Sequence, residues 1–227
     1  MSFHDRLMAE TRAERASLHA VPVIADAMRG IVSVPTYLAF LTEAWHHVRH
    51  TVPLLVACRS ALPARLDWMR PAFDEYVEEE RGHDEWILED IRVAGGDVQA
   101  VRQAPPSAAT EVMVAYAYDG IARGNPVSFL GMVHVLEGTS VALALAAADR
   151  IQSGLGLPDA AFTYLRSHGT LDVGHAEHYA ALVDALEDPS DRDAIVHAAR
   201  MFYRLYADVF RGLPRAARPA RAVAVAA

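Results

Sequence analysis

Residues 158–186 are predicted to form a helix that carries ionisable side chains on its apolar face, and this combination limits how the chain can fold. At about 100° per residue, positions i, i+4 and i+7 lie within a narrow arc, so His168, Asp172 and His175 project from one side. Leu165 lies on the same stripe, which indicates that this side faces the protein interior. Burying an acid and two imidazoles is unfavourable unless a partner compensates them, and a metal ion suits these side-chain types. The pattern predicts a metal site to which this helix contributes three ligands.

Helical periodicity extends through most of the 227 residues, and no segment shows the alternation of a convincing strand. Proline and glycine residues separate the periodic segments. The predicted helices span residues 2–19, 35–60 with a kink at Pro53, 63–94, 108–123, 127–153, 158–186 and 189–212. This arrangement predicts an all-α, single-domain bundle of about seven helices over residues 1–213. Residues 214–227, rich in alanine, arginine and proline, are predicted to form a disordered tail.

The composition argues against several classes of protein. A formal charge of −8 disfavours nucleic acid as the main partner. Cys58 is the single cysteine, so the chain has no disulfide framework and suits a reducing compartment. The sequence lacks both a run of about 18 uncharged apolar residues and the residue order of a signal peptide. We therefore expect a cytoplasmic protein that binds neither nucleic acid nor membrane.

The predicted helix over residues 63–94 offers further ligands. Glu79 and Glu80 stand four and three residues before His83, so either acid can share a helix face with the imidazole. A Glu-x-x-His pair is the unit by which di-iron carboxylate bundles hold iron. The alternative is a solvated acidic surface, but the neighbouring Trp86 favours an inward position for His83. The choice between the two glutamates stays open.

The segment over residues 127–153 is apolar nearly all round, and Glu137 is its only acid before Asp149. A carboxylate that cannot easily reach water must be neutralised, paired or bound to a cation. We therefore predict that Glu137 is a metal ligand. The alternative is a glutamate paired with an arginine.

The helix over residues 35–60 could supply a second Glu-x-x-His unit. Glu43 stands three residues before His46 and four before His47. His46, His47 and His50 cannot all face inward. Whether Glu43 or a neighbouring histidine completes the site is therefore left open.

The charges of these acids indicate how many metal ions would fit. Glu43, one of Glu79 and Glu80, Glu137 and Asp172 together bring four negative charges. Two ferrous ions would balance them, whereas one ion would leave two charges unmatched. Mixed carboxylate and imidazole ligation suits iron, with manganese as a second possibility, and the lack of nearby cysteines disfavours structural zinc.

Taken together, the motifs resemble the heme-oxygenase-like fold, and within it the di-iron oxidases and oxygenases related to the CADD-type proteins. The resemblance spans about residues 19–212. It rests on the acids paired with His83, on Val135-Leu136-Glu137-Gly138, and on His168-x-x-x-Asp172-x-x-His175. The residues that it implies as iron ligands are Glu79 or Glu80, His83, Glu137, His168, Asp172 and His175, with Glu43 matching a carboxylate found in some members only.

The resemblance implies an enzyme that uses two irons to activate dioxygen and oxidise a small organic substrate. A homodimer is common for this fold. We expect the protein to supply the ligand geometry and a dry pocket beside the metals. The side chains expected to line that pocket are Tyr76, Trp86, Phe129 and Tyr179.

Other functions account for part of the pattern. A ferritin-like iron store or ferroxidase would use the pairs Glu43/His46 and Glu80/His83, and would leave the three residues of the 158–186 helix unexplained. A haem-degrading member of the fold needs only one axial imidazole. A metal-free member like TenA or PqqC would not compensate the acids, and TenA relatives carry a catalytic cysteine on a later helix than Cys58. The sequence does not name the substrate.

Overall fold

The computed structural model describes residues 1–215, except the side chains of residues 170–174. Within this part of the chain the protein is all-α, without strands, as the sequence predicts. The α-helices are α1 (Phe3–Glu10), α2 (Arg12–His19), α3 (Pro22–Ala27), α4 (Val34–Val48), α5 (Thr51–Ala61), α6 (Arg70–Glu79), α7 (His83–Val93), α8 (Val98–Gln103), α9 (Ala108–Arg123), α10 (Leu130–Leu155), α11 (Thr163–Asp184) and α12 (Pro189–Gly212). Short 3-10 segments precede α6, α10 and α11. Residues 214–227 are predicted to be a disordered tail. Of these, residues 216–227 lie outside the described part of the chain.

Over the described residues the structure has twelve α-helices where seven are predicted, because three of the predicted helices are each divided in two and the short helices α3 and α8 lie between predicted segments. The 2–19 segment breaks at Thr11, and the 35–60 segment breaks at residues 49–50 rather than at Pro53. Pro53 lies in the first turn of α5, where proline is tolerated because its missing N–H would have no helical partner. The 63–94 segment breaks at Gly82, whose φ of 88° is left-handed.

The later helices agree closely with the periodicity, since their ends carry recognisable caps. The Ser107 side chain accepts a hydrogen bond from Thr110 N at the start of α9, and Asp188 does the same for Ser190 N at the start of α12. Gly156, with a φ of 65°, ends α10. These local signals explain why the ends of α9 and α12 can be read from the sequence.

Helix α10 is the central helix and packs against both α11 and α12. A side chain at Gly131 would lie 2.6 Å from Ala199 N and 2.9 Å from Ile195 O, so only glycine allows this approach to α12. The segment Pro126–Leu155 is long and apolar enough to cross a membrane by composition alone, but a core helix has the same composition. Two clusters of buried apolar side chains flank α10, one mainly with α5 and α12 and the other with α4 and α7.

Candidate metal centre

Three helical segments bring two imidazoles and a carboxylate together in the interior. Glu80 follows the last residue of α6, His83 begins α7, and His168 lies in α11. Their potential ligand atoms all lie within 4.8 Å of one another. The side chains of Glu80 and His83 are 9% and 4% exposed. This triad joins residues far apart in sequence into one buried group of metal-ligand type.

The break at Gly82 sets the geometry between Glu80 and His83. The predicted single helix would have placed them on one continuous face, but the chain turns between them and restarts at His83. His83 Nδ1 lies 3.1 Å from Glu80 Oε2, and its ring stacks on Trp86 at a centroid distance of 4.1 Å. Burial opposes ionisation of Glu80, but the hydrogen bond from His83 and the charges of the nearby histidines outweigh it and lower the pKa of the carboxyl. Glu80 is therefore an ionised acid in a buried place.

The orientation of His168 is set by its own helix. His168 Nδ1 lies 3.0 Å from the carbonyl oxygen of Tyr164, which can only accept, so Nδ1 carries the proton and Nε2 is the ligand atom. The first turn of α11 is held by Asp90 of α7, whose carboxylate accepts hydrogen bonds from Thr163 N at 3.0 Å and Tyr164 N at 2.8 Å. Helix α7 thus fixes the helix that carries His168 as well as contributing His83.

A second group of acids surrounds His175, further along α11. Its Nε2 lies 3.2 Å from Glu79 Oε2, and its Nδ1 lies 4.0 Å from Glu137 Oε1 of α10. The side chains of His175 and Glu137 are 12% and 13% exposed, whereas that of Glu79 is 53% exposed. The two adjacent glutamates that the sequence could not rank therefore lie at different groups, Glu80 in the triad and Glu79 at His175. Asp172, predicted between the two histidines, belongs to the side chains outside the described part.

Two cavities, each partly open to solvent, meet at the triad. The first, called the apolar cavity below, has a volume of about 90 Å³ and lies mainly between α3, α4, α10 and α12. The second, called the acidic cavity, has a volume of about 60 Å³ and is lined by Glu80, Glu137 and Tyr76. The walls of both cavities include Ser140, Tyr164, His168 and Tyr206. His168 is therefore the residue of the triad that faces both spaces.

Glu43, which the sequence offers as a further ligand, lies outside the triad. Its carboxylate accepts hydrogen bonds from Ser107 N, Ser107 Oγ and Thr110 Oγ1, and so holds the start of α9. One turn later on α4, His47 is almost fully buried, and its Nδ1 has no hydrogen-bond partner within the described residues. Burial and, to a smaller extent, the charges of His168 and other nearby histidines lower the pKa of His47 to about 3. The sequence left open whether Glu43 or a neighbouring histidine of α4 completes the site. Of these residues, His47 is the one whose ring interacts with His168 of the triad.

The predicted pocket residues are confirmed only in part. Tyr76 and Phe129 line the acidic cavity, whereas Trp86 packs on His83. Tyr179 is buried elsewhere, with its hydroxyl donating to the Leu130 carbonyl oxygen at 2.9 Å. The residues missed are the three shared with His168, namely Ser140, Tyr164 and Tyr206. Of these, Tyr164 carried a signal in the sequence, since it stands one helical turn before His168.

The donor set fits iron. Carboxylate oxygens and imidazole nitrogens in a buried cluster are the ligands that non-haem iron and manganese prefer, and they are unlike the cysteine-rich sets of structural zinc. The Cys58 thiol is unsuited to bind a metal as a thiolate. It donates a hydrogen bond to the Pro126 carbonyl oxygen, and burial raises its pKa to about 12. The residues that could hold a metal are thus the triad and the acids around His175.

A family of known proteins matches this chain by sequence. The sequence model described as an iron-containing redox enzyme matches residues 38–207. No curated protein matches the chain by sequence.

Solved structures share the fold over nearly the whole chain. A domain of unknown function with a heme oxygenase-like fold from Shewanella denitrificans OS217 is 25% identical, with a TM-score of 0.81 over 91% of this chain and 89% of that one. Heme oxygenase from Leptospira interrogans is 16% identical, with a TM-score of 0.75 over 94% and 100%. A CADD-like protein of unknown function from Nostoc punctiforme PCC 73102 is 14% identical, with a TM-score of 0.70 over 91% and 96%. The chain therefore belongs to the family of iron-containing redox enzymes with a heme oxygenase-like fold.

Proposed function

We propose that this protein is a non-haem di-iron oxidase or oxygenase that uses dioxygen to oxidise a small organic substrate. The observation that carries the proposal is the pair of acid and imidazole groups on neighbouring helices, one around His168 and one around His175. Each group has the carboxylate and imidazole composition that suits one iron or manganese ion. Membership of an iron-containing family supports iron as the metal. That the protein binds two ions is part of the proposal.

The residues of each group have separate roles. Glu80, His83 and His168 would hold one ion, and His175 with Glu137 and Glu79 would hold the other. Two ferrous ions bound there would supply the electrons that reduce dioxygen.

The remaining residues orient the ligands and hold protons. The hydrogen bond from His168 Nδ1 to the Tyr164 carbonyl oxygen keeps Nε2 directed as a ligand atom. The Tyr76 hydroxyl is buried, with no hydrogen-bond partner among the described residues, and its ring packs edge-on to His175 at 5.9 Å. Burial, followed by the charge of Glu137, raises the pKa of Tyr76 well above its usual range, so the phenol keeps its proton. Tyr76 is thus a protonated donor in the wall of the acidic cavity.

The alternatives explain fewer of these contacts. A ferritin-like site would need Glu43 beside His46, but the Glu43 carboxylate is bonded to the start of α9. A TenA-like activity would need a reactive thiol, and the pKa of Cys58 is raised too far for a thiolate near neutral pH. Haem degradation would use a single axial imidazole, which leaves the acids around His175 without a role.

Anaerobic loading with Fe(II) tests the proposal. We expect two Fe(II) per chain and consumption of dioxygen after loading. His168→Ala and His175→Ala should each weaken Fe(II) binding at least about tenfold, because each removes a ligand. His178→Ala is the matched control, since His178 lies on the same helix with its side chain 49% exposed.

The outcomes separate the candidate functions. Unchanged iron binding in both ligand variants would refute the assignment. Iron that accumulates in large excess of two per chain would support the ferritin-like function instead, and a haem absorption band after haem addition would support the haem-degrading one. The homodimer and the cytoplasmic location stay predictions from the sequence.

A further inference from the structure

The apolar cavity extends from the candidate metal centre toward α3 and the end of α12. Its wall near His168 carries Tyr164 and Ser140, and its far part is formed by side chains such as Ile24, Leu143 and Phe210. Phe210 stacks on Phe40 at a centroid distance of 6.0 Å. One end of this space therefore borders a residue of the candidate metal centre, and the other is lined by apolar side chains.

Three of the other hydroxyl-bearing residues of the wall offer little to a ligand. The Tyr37 hydroxyl donates to the Ala161 carbonyl oxygen at 2.7 Å, and the Thr139 hydroxyl donates to the Val135 carbonyl oxygen at 2.6 Å. Thr36 Oγ1 lies 2.8 Å from the hydroxyl of Ser33. Because these hydroxyls already have partners in the protein, the rings and methyl groups are what they present to the cavity.

The cavity wall also lacks charge. Among the described residues that line it, none is an aspartate, glutamate, lysine or arginine. Arg166, an arginine that could have received a carboxylate, forms ion pairs with Asp149 and Asp159 at 2.8 Å each. At the far end, Asp26 is paired with Arg215 at 2.6 Å and with Arg29. An ionised substrate group inside the apolar cavity would thus lose its hydration without gaining a counter-charge.

We infer that the substrate of this enzyme carries an uncharged hydrocarbon portion that occupies the apolar cavity, with its reacting end beside His168. This inference rests on the proposed function for the reaction itself, but the binding of the hydrocarbon portion does not depend on iron. Specificity then comes from the length and shape of that portion, because burial of apolar area is the main favourable interaction that this wall offers.

Binding of 1-alkanols to the full-length, iron-free protein tests the inference. By calorimetry we expect one saturable site for 1-octanol, with affinity rising about fourfold for each added methylene from 1-butanol upward. 1,8-Octanediammonium, which has a charge at each end, should bind more weakly than octylammonium, which can keep its single charge beside the acids of the centre while its chain fills the apolar cavity. Absence of saturable binding, no dependence on chain length, or equal or tighter binding of 1,8-octanediammonium would overturn the inference.

Variants locate the binding to this cavity. Ala147 lines it, whereas the adjacent Ala146 on α10 is exposed. Ala147→Phe should weaken 1-octanol binding by about fifteenfold, the equivalent of two excluded methylenes, and Ala146→Phe should leave it unchanged. Equal effects of the two changes would refute the location.

A second variant covers the case in which Ala147→Phe does not fold. Phe210→Ala enlarges the same cavity and should raise the preference for 1-decanol over 1-octanol relative to the parent protein. An unchanged preference would contradict the inference. If the alkanols bind as expected but iron loading fails, the proposed function is wrong while the apolar binding site stands.

Discussion

At the scale of single residues, burial has the largest effect on histidine chemistry in this protein. His134 lies on α10 among Tyr179 and Tyr203, with ring centroids about 6 Å away. Burial, followed by the charges of His4 and Arg15, lowers the pKa of His134 to about 3. In the unfolded chain this residue binds a proton near its ordinary pKa of 6.5, so between the two pKa values a lower pH lowers the free energy of unfolding.

This shift predicts acid sensitivity. The stabilising contribution of neutral His134 is fully present above about pH 6.5 and is lost as the pH falls, by about 2 kcal/mol at pH 5. His134→Gln should therefore reduce the difference in unfolding free energy between about pH 7.5 and about pH 5, measured by urea denaturation. His197→Gln, on the exposed side of α12, is the control and should leave most of that difference. A parallel loss in both variants would contradict the prediction.

At the scale of elements, two glycines on α10 differ in how much space surrounds them. A Cβ at Gly131 would lie 2.8 Å from Ala198 Cβ and still closer to the α12 backbone, whereas a Cβ at Gly138 would meet no atom within 4 Å. The first glycine allows two helices to approach, and the second has no such packing role.

The pair gives a matched prediction. Gly131→Ala should lower the free energy of unfolding by about 1–3 kcal/mol, because the backbone it meets cannot move aside cheaply. Gly138→Ala should be neutral or raise it by up to about 1 kcal/mol, since alanine favours the helix. Thermal denaturation of the two variants measures the contrast, and destabilisation of equal size would show that the close approach at Gly131 does not matter.

The junction between α7 and α11 provides another element-scale prediction. Burial raises the pKa of Asp90 to about 6, although two backbone N–H groups of α11 bond to it. Asp90→Ala should cost about 1–2 kcal/mol at neutral pH because it leaves those N–H groups without their cap. Asp90→Asn keeps an acceptor and should cost less.

The two substitutions also differ in their dependence on pH. Protonation of the buried carboxyl contributes stability that is fully present below the unfolded pKa of 3.8 and is lost as the pH rises through about 6. Urea denaturation across that range should show this contribution in the parent protein but not in Asp90→Asn. An identical pH profile in both would refute the role of Asp90.

At the scale of the whole molecule, Asp191 joins three parts of the chain. It is fully buried near the start of α12 and accepts hydrogen bonds from Arg65 Nη2 at 2.8 Å and from Asn125 Nδ2 at 2.7 Å. Arg65 precedes α6, and Asn125 precedes α10. The carboxylate therefore ties the ends of three helical segments that pack around one side of the core.

Loss of this tie should destabilise the fold. Asp191→Ala should lower the free energy of unfolding by about 1–2 kcal/mol, since it removes the hydrogen bonds that the partly exposed Arg65 and Asn125 donate to a buried carboxylate. Asp193→Ala is the control, because Asp193 is 64% exposed in its pair with Arg6 and should change stability by less than about 0.5 kcal/mol. Chemical denaturation at neutral pH compares them, and equal midpoints would contradict the prediction.

The helical class could be predicted from the sequence, and so could the acids and histidines that the structure brings together, because apolar periodicity and residue spacing are local properties. The sequence placed His168 and His175 on one helix and marked Glu137 as an acid in an apolar segment. It could not decide between Glu79 and Glu80, because the break at Gly82 changes the direction of the chain between α6 and α7.

Which side chains line a common cavity or site became clear only from the packing of the helices. Glu43 has the spacing of a ligand, but the packing of α9 against α4 brings hydrogen-bond donors to its carboxylate first. The uncharged cavity beside His168 is built from helices distant in sequence, so no local pattern could predict it. Contacts of this kind depend on how helices pack, and a pattern within one helix does not contain that information.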